Sequence, residues 1–146
     1  MKVLIKKGKT LGEIRLKGSA TLVAGVLKGA TNEKGDSVAY YAMVNEYGTE
    51  KLPARPFMRN TVKEHSGEWK ALLKQGISAG VTPEEALEKI RNVVRADIIA
   101  TIKSGNFTPN APATVARKKR QGLEHSDKPL IETTALIRSI NTEIRK

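Results

Sequence analysis

The chain has 146 residues, contains no cysteine and carries 26 Lys and Arg against 15 Asp and Glu, a formal net charge of +11. Its length fits a single domain, residues 1–146, with a substantial core. The lack of cysteine excludes disulfides, thiolate metal sites and a cysteine nucleophile, and no apolar run approaches the roughly 20 residues of a membrane span. We therefore expect a soluble protein made inside the cell that does not enter a membrane.

The positive charge is dispersed along the chain. Its only dense run is Arg117-Lys118-Lys119-Arg120. A basic patch is the usual footprint of nucleic-acid binding, but 4% aromatic residues leave no series of rings for the stacking that single-strand binders use. We expect the charge to serve solvation or an acidic protein partner, with direct contact to DNA or RNA as the alternative.

Residues 1–50 are predicted to be mainly strands and a hairpin. Apolar residues alternate through residues 1–28, best of all at 20–27, although residues 9–17 also fit a short helix. The apolar and aromatic run at 38–44 is bounded by glycines and predicts a buried strand. Turn residues between the two runs predict that they pair as an antiparallel hairpin in the middle of the sheet.

A first helix is predicted over residues 56–76. Pro56 has a backbone angle suited to the first position of a helix that begins near Phe57. Apolar residues then recur at helical spacing, with charged residues on the other side. The glycines after residue 75 end this helix, and we expect Ile77 to anchor the following connection in the core.

A second helix is predicted over residues 82–105 and has the clearest signals in the chain. Thr82 and Glu85 form a capping box, with Pro83 at the first helical position. A broad apolar face follows, and Gly105 is the stop signal.

The remainder of the chain is predicted to be a long loop followed by a short structured tail. Residues 106–128 are polar and basic, and 114–121 fit a short helix within this loop. Residues 129–146 are predicted to contain a turn, capped by Thr133 or Thr134, and a returning strand near 139–144. Together the elements predict an α+β fold: a small, mostly antiparallel sheet, two main helices packed on one face, and projecting loops.

No residue is assigned to catalysis, to a cofactor or to a metal. The sequence has no phosphate loop, no His-containing metal motif and no Ser/His/Asp arrangement. His65 has no second ligand at metal-binding spacing. The acidic residues Glu84, Glu85 and Glu88 fit a capped helix start better than general acid–base chemistry. We therefore do not expect an enzyme.

Five segments follow one another in the order found in a known family. They are Val38-Ala39-Tyr40, Asn45-Glu46-Tyr47-Gly48-Thr49, Pro53-Ala54-Arg55-Pro56-Phe57-Met58-Arg59, Thr108-Pro109-Asn110-Ala111-Pro112-Ala113-Thr114 with Lys118, and Pro129-Leu130-Ile131 with Leu136, Ser139 and Ile140. In this order they resemble the tail-completion or minor tail proteins of tailed bacteriophages, of the kind called gp10-like in phage HK97 and related to phage virion morphogenesis proteins. The resemblance runs from about residue 20 to residue 140.

This resemblance implies a structural virion protein at the neck or tail of a phage or prophage particle, made in the bacterial host cytoplasm. Such proteins help join the finished tail to the DNA-filled head and assemble as rings, commonly sixfold. The implied partners are further copies of the chain in a ring such as a hexamer, the head connector, tail tube or terminator proteins, and DNA in the channel. The alternative function is a basic DNA-binding protein, for which the free monomer would bind DNA with a steep salt dependence.

The residues expected to form the family motif or a subunit interface are Glu46, Tyr47, Gly48, Arg55, Pro56, Phe57 and Arg59. Glu46 and Arg55 are expected to make a polar contact that holds the turn to the following arm or bridges subunits. A cation at a helix start is mildly unfavourable, so Arg55 and Arg59 are expected either to have a real partner or to be solvated charges.

Three further groups of residues have expected roles. Tyr40, Met43, Phe57 and Trp69 are expected to pack in the core. The basic loop residues Arg117, Lys118, Lys119 and Arg120 are expected to meet an acidic neighbour or DNA, or to remain solvated. The candidate assembly arms are residues 31–37, 48–56 and 106–128.

Overall fold

The computed structural model describes residues 2–5, 11–15, 20–26, 29–123, 126–127, 129–130 and 134–146. The fold is α+β, as predicted. The elements, in chain order, are β1 (Lys2–Ile5), β2 (Leu11–Arg15), β3 (Thr21–Val26), α1 (Val38–Tyr47), α2 (Phe57–Ser78), α3 (Pro83–Ser104), α4 (Pro112–Arg120), α5 (Ala135–Ser139) and β4 (Ile140–Arg145).

One four-stranded antiparallel sheet has the strand order β1-β2-β3-β4. Strand β3 is central and buried, and it pairs with β2 in the register Leu11↔Gly25 and with β4 in the register Val26↔Ile140. The strands predicted near 20–27 and 139–144 are confirmed. The ambiguous stretch at 9–17 contains strand β2 and no helix in its described part.

The prediction of a strand at residues 38–44 was wrong, because this run forms α1. Ser37 caps the helix by accepting a hydrogen bond from the Tyr40 amide at 3.3 Å. The buried residues of α1 are Val38, Ala42, Asn45 and Glu46, which share one face of a helix. The predicted hairpin is therefore also wrong: β3 pairs with β2 and β4, and the turn before α1 closes by a single bridge from Thr31 to Ser37.

The core lies between the sheet and the two long helices, α2 and α3, which pack against each other. Phe57 and Trp69 are buried there as predicted, and the Trp69 indole donates a hydrogen bond to the Asp97 carboxylate at 2.7 Å. Two predicted core positions are wrong. Tyr40 is 65% exposed on the outer side of α1, and Ile77 is 45% exposed because α2 continues through Gly76 and carries it in its last turn.

Helix α3 begins and ends where the sequence predicts. The Thr82 hydroxyl accepts a hydrogen bond from the Glu85 amide at 3.3 Å, and the Glu85 carboxylate accepts one from the Thr82 amide at 2.8 Å. Gly105 ends the helix in the left-handed conformation, with φ 68°. The capping box and the glycine stop are both confirmed.

Replacing Thr82 by alanine is expected to cost about 1 kcal/mol of stability, because one amide of α3 loses its cap. Hydrogen bonds from the Thr82 amide and then its hydroxyl lower the pKa of Glu85. The stabilisation linked to this lowered pKa is present above the ordinary pKa and is lost as pH falls through the lowered value. In Thr82→Ala the pKa of Glu85 should rise part of the way back, as measured by NMR titration, while Thr82→Ser should preserve it. An unchanged pKa in the alanine variant would contradict this account.

The outer edge of β4 is occupied by side chains. Arg95 Nε donates to the Ile140 carbonyl at 2.8 Å, and an Arg91 guanidinium nitrogen donates to the Thr142 carbonyl at 3.2 Å. The Thr142 amide donates to the Asn141 side chain at 2.8 Å. Because an added strand would need these backbone groups, β4 is not a free edge for pairing with another chain.

The long loop predicted at 106–128 is interrupted by α4. The short-helix alternative is confirmed, with a start at Pro112 rather than Thr114. Thr134 lies at the N-cap position of α5 with φ 62°, but its side chain makes no capping hydrogen bond, and Thr133 lies outside the described residues. Among the described helices, none has the combination of length and apolarity that crossing a bilayer requires.

Candidate functional site

The residues of the predicted motif meet where α1 ends and α2 begins. We call residues 45–59 the α1–α2 corner. Helix α1 ends at Tyr47, Gly48 turns the chain, residues 49–54 are exposed, and α2 begins at Phe57. Pro56 occupies the N-cap position of α2, one residue earlier than predicted, and supplies no side-chain cap. The first amides of α2 therefore need another acceptor.

Glu46 supplies that acceptor from the end of α1. Its carboxylate is fully buried, and its two oxygens accept from the Met58 amide at 2.9 Å and the Arg59 amide at 3.1 Å. A negative charge at this position also suits the positive end of the α2 dipole. Glu46 thus caps a helix to which it does not belong.

Arg59, in the first turn of α2, binds the C-terminal end of α1. Its Nε donates to the Glu46 carboxylate at 3.0 Å, and a terminal guanidinium nitrogen donates to the Glu46 backbone carbonyl. The guanidinium also lies 5.1 Å from the centre of the Tyr47 ring. Its charge is therefore placed at the C-terminal end of α1, where a cation is favourable. The partner that the sequence indicated for Arg59 is the preceding helix of the same chain.

Arg55 binds the segment before α4 and holds it against the corner. Its backbone amide donates to the Asn45 carbonyl at 2.6 Å, and its buried guanidinium donates to the carbonyls of Thr108 at 2.8 Å and Pro109 at 3.2 Å. Within the chain, the contact predicted between Glu46 and Arg55 is thus replaced by two separate anchors. Glu46 binds the start of α2, and Arg55 binds the segment that leads into α4.

Gly48 allows the chain to leave α1 in an extended direction. Its φ is 73° and its ψ is 177°, a region that only glycine adopts readily. A Cβ atom there would lie 2.8 Å from both the Ala54 amide nitrogen and the Leu52 carbonyl oxygen. The glycine is therefore required by conformation and by space.

Residues 49–54 form an exposed turn, which we call the arm. The Thr49 amide donates to the Leu52 carbonyl at 2.8 Å, and the Thr49 side chain accepts from the Lys51 amide at 3.3 Å and the Leu52 amide at 3.1 Å. Leu52 is 47% exposed. The arm presents an apolar side chain on an internally hydrogen-bonded turn.

The four basic residues predicted as one group are divided by α4. Lys119 and Arg120 are exposed in its last turn, Arg117 is half-buried and donates to the Gln121 side chain at 3.1 Å, and Lys118 is buried. Positive charges in the last turn of a helix interact favourably with the negative end of the helix dipole. Because Lys118 is buried and Arg117 is half-buried, the exposed basic surface of α4 is smaller than the run of four basic residues suggested.

A cavity of about 410 Å³ opens beside the first turn of α1, and the sequence did not predict it. Val38, Leu130 and Leu136 are buried at its floor, and exposed residues of the 31–37 turn form its rim. The cavity depends on contacts between segments about 100 residues apart, for which no local pattern exists.

A second, smaller cavity of about 210 Å³ lies near His65 and Phe107. His65 Nδ1 is 3.7 Å from Asp97 Oδ2, and the imidazole stacks on Trp69 with ring centres 6.3 Å apart. Within the part of the chain that the structure describes, no group of three or more His, Cys, Asp or Glu is arranged to hold a metal ion.

No protein-family model matches the chain, and neither a curated protein nor a solved structure matches it significantly. Fold alone does not define function, so we infer function from the residues of the motif and from their geometry.

Proposed function

We propose that this chain is a structural virion protein of a tailed phage or prophage, a head–tail joining or tail-completion component of the neck that assembles into a ring. The observation that carries this proposal is the construction of the α1–α2 corner. The motif that resembles the phage family includes Glu46, Gly48, Arg55 and Arg59, which together join two helices, anchor the segment before α4 and support the exposed arm.

The chemistry of the corner supports an assembly role better than catalysis. The carboxylate of Glu46 and the guanidinium of Arg55 are buried and hydrogen-bonded to backbone groups. A catalytic acid, base or nucleophile must instead reach a reacting atom in a cleft. Side chains committed to backbone groups hold surfaces in fixed positions, which is what a subunit in a closed ring needs.

In the particle, such a subunit would contact further copies of itself, the head connector and the tail tube or terminator proteins, around a channel that contains DNA. Since Arg91 and Arg95 occupy the outer edge of β4, the contact between copies would use side-chain surfaces rather than a continued sheet at that edge. The exposed arm and the cavity at the other end of α1 are two surfaces available for it.

The second candidate is a basic DNA-binding protein, supported by the net charge of +11 and by exposed Lys119 and Arg120. Lys118 is buried, while Arg55 and Arg59 are engaged with neighbouring segments of the chain. This leaves fewer cations to neutralise phosphates than the sequence suggests. The joining protein is therefore the better supported proposal.

Light scattering of the purified chain tests the two candidates. We expect a closed oligomer in a concentration series, with a mass that a DNA duplex does not change at low or high salt. A monomer indifferent to DNA would mean that assembly waits for the connector or the tail. A monomer that binds the duplex with a steep salt dependence would contradict the joining role.

A matched pair of variants makes this test specific to the basic residues. Replacing Lys119 and Arg120 by glutamate should leave the mass of the oligomer unchanged. Replacing the exposed α2 residues Lys63 and Lys70 by glutamate makes the same change in net charge at another surface. Loss of duplex binding in the α4 variant alone would favour the DNA-binding protein.

A further inference from the structure

We infer that Leu52 of one copy of this chain inserts into the cavity beside the first turn of α1 in a second copy. The two ends of α1 would then be complementary halves of one head-to-tail contact. The inference rests on the proposed assembly function and names the surface by which copies meet.

The arm is suited to insertion because its shape is already set. Backbone and side-chain hydrogen bonds of Thr49 close the turn, and Gly48, which has no Cβ, lies close to Leu52 and Ala54. In this turn Leu52 is 47% exposed and presents its aliphatic side chain to solvent. A preformed turn loses little conformational entropy on binding, so burial of Leu52 contributes to affinity with a small ordering cost.

The cavity has the properties of a socket for such a side chain. Its volume of about 410 Å³ lies in the range of natural ligand pockets. Val38, Leu130 and Leu136 form an apolar floor, and Tyr40, 65% exposed, stands at the mouth. Burial of Leu52 and Tyr40 against each other would remove two of the large exposed apolar side chains from water.

Hydrogen bonds from α5 and within the 31–37 turn hold the rim of the socket in place. Glu33, in the turn before α1, accepts a hydrogen bond from Arg138 of α5 at 2.6 Å. The Asn32 side chain accepts from the amides of Lys34 and Asp36, each at 2.9 Å. These hydrogen bonds connect the rim residues to one another and to α5.

The position of the two features favours a second copy as the occupant. Helix α1 has 10 residues and separates the arm from the cavity by about 15 Å. A chain that carries a projection and a socket at opposite ends of one rigid helix makes a heterologous contact, and repetition of that contact gives a ring when the rotation closes.

Charges beside the two features are also complementary. Glu50 and Lys51 adjoin Leu52 on the arm, and Lys34 and Asp36 are exposed on the rim. The third charged rim residue, Glu33, pairs with Arg138, so in the second copy we place Lys51 opposite Asp36 and Glu50 opposite Lys34. Such pairs at a rim set the register of a contact more than its strength.

Disulfide trapping tests this contact directly, because the native chain has no cysteine. In the full chain carrying Tyr40→Cys and Leu52→Cys, mild oxidation should give a ladder of reducible oligomers on a non-reducing gel. Residues 40 and 47 are already about 10 Å apart along α1. The Leu52 carbonyl lies beside Gly48 at the end of this helix, so we expect residue 52 to be outside the reach of a disulfide within one copy. The ladder therefore reports contact between copies.

The matched control combines Leu52→Cys with Ile77→Cys, which is also exposed but lies in the last turn of α2. We expect oligomers to form roughly tenfold faster or more with the Tyr40 pair, because docking raises the local thiol concentration. A further variant, Leu52→Asp, changes an exposed residue and should reduce the ladder formed by Tyr40→Cys with Lys51→Cys.

Equal rates for the Tyr40 and Ile77 pairs would overturn the inference. If light scattering nevertheless showed a closed oligomer of the native chain, the copies would meet by another surface and the proposed function would stand. If the native chain were instead a monomer that binds duplex with a steep salt dependence, the proposed function would fail as well. A faster Tyr40 ladder from a chain that is monomeric by light scattering would support the contact as a weak one.

Discussion

Replacing Glu46 by alanine is expected to lower the free energy of unfolding by about 3 kcal/mol. The substitution leaves the Met58 and Arg59 amides without an acceptor and removes the carboxylate that binds the Arg59 side chain. The expected loss stays below that for a fully buried ion pair, because the Arg59 side chain is half-exposed and can be rehydrated. Thermal unfolding should show a decrease in Tm of about 6–12 °C.

Two further variants separate the charge of Glu46 from its shape. Glu46→Gln keeps the size but presents a donor amide where two oxygens now accept, so we expect a loss of about 2 kcal/mol. Glu64 is exposed on α2, and Glu64→Gln should change stability by less than about 0.5 kcal/mol. A Glu46→Ala protein as stable as Glu64→Gln would show that the corner does not depend on this cap.

Replacing Gly48 by alanine is expected to cost about 3 kcal/mol or more. The added Cβ would lie 2.8 Å from the Ala54 nitrogen and the Leu52 oxygen, both of which are backbone atoms. A side chain also strains the backbone at φ 73° and ψ 177°. Relief of this strain requires the arm to move, so urea unfolding should show lower stability and disulfide trapping through residue 52 should weaken.

Gly67 provides the matched control for this substitution. It lies inside α2, and a Cβ there would meet no heavy atom within 4 Å. Gly67→Ala should therefore stabilise the protein by about 0.5–1 kcal/mol, because alanine loses less backbone entropy in a helix. A decrease of similar size in both variants would contradict the conformational account of Gly48.

Predictions from the sequence succeeded where the determining contacts are local. The limits of α3 follow from Thr82, Glu85 and Gly105, all of which act within a few residues. The start of α2 was likewise indicated by Pro56, and the returning strand β4 by the alternation of its apolar residues. Because these signals depend on the backbone of one segment, the element can be predicted without knowledge of the rest of the chain.

Predictions failed where a short apolar run was compatible with two structures. Seven apolar and aromatic residues before Asn45 fit a buried strand and a helix equally in period. The decision for a helix depends on the Ser37 cap and on the burial of Asn45 and Glu46, whose partners are Arg55 and the start of α2. Once α1 was taken as a strand, the hairpin and the core position of Tyr40 followed as errors.

The sequence by itself determined the α+β class, the two long helices, the central strand and the set of motif residues at the corner. Only the tertiary structure decided that Glu46 pairs with Arg59, that Arg55 holds the segment before α4, that Lys118 is buried, and that a cavity opens beside Tyr40. The limits of α3 are determined by hydrogen bonds within a few residues, whereas buried charges take the partners that chain packing brings within reach.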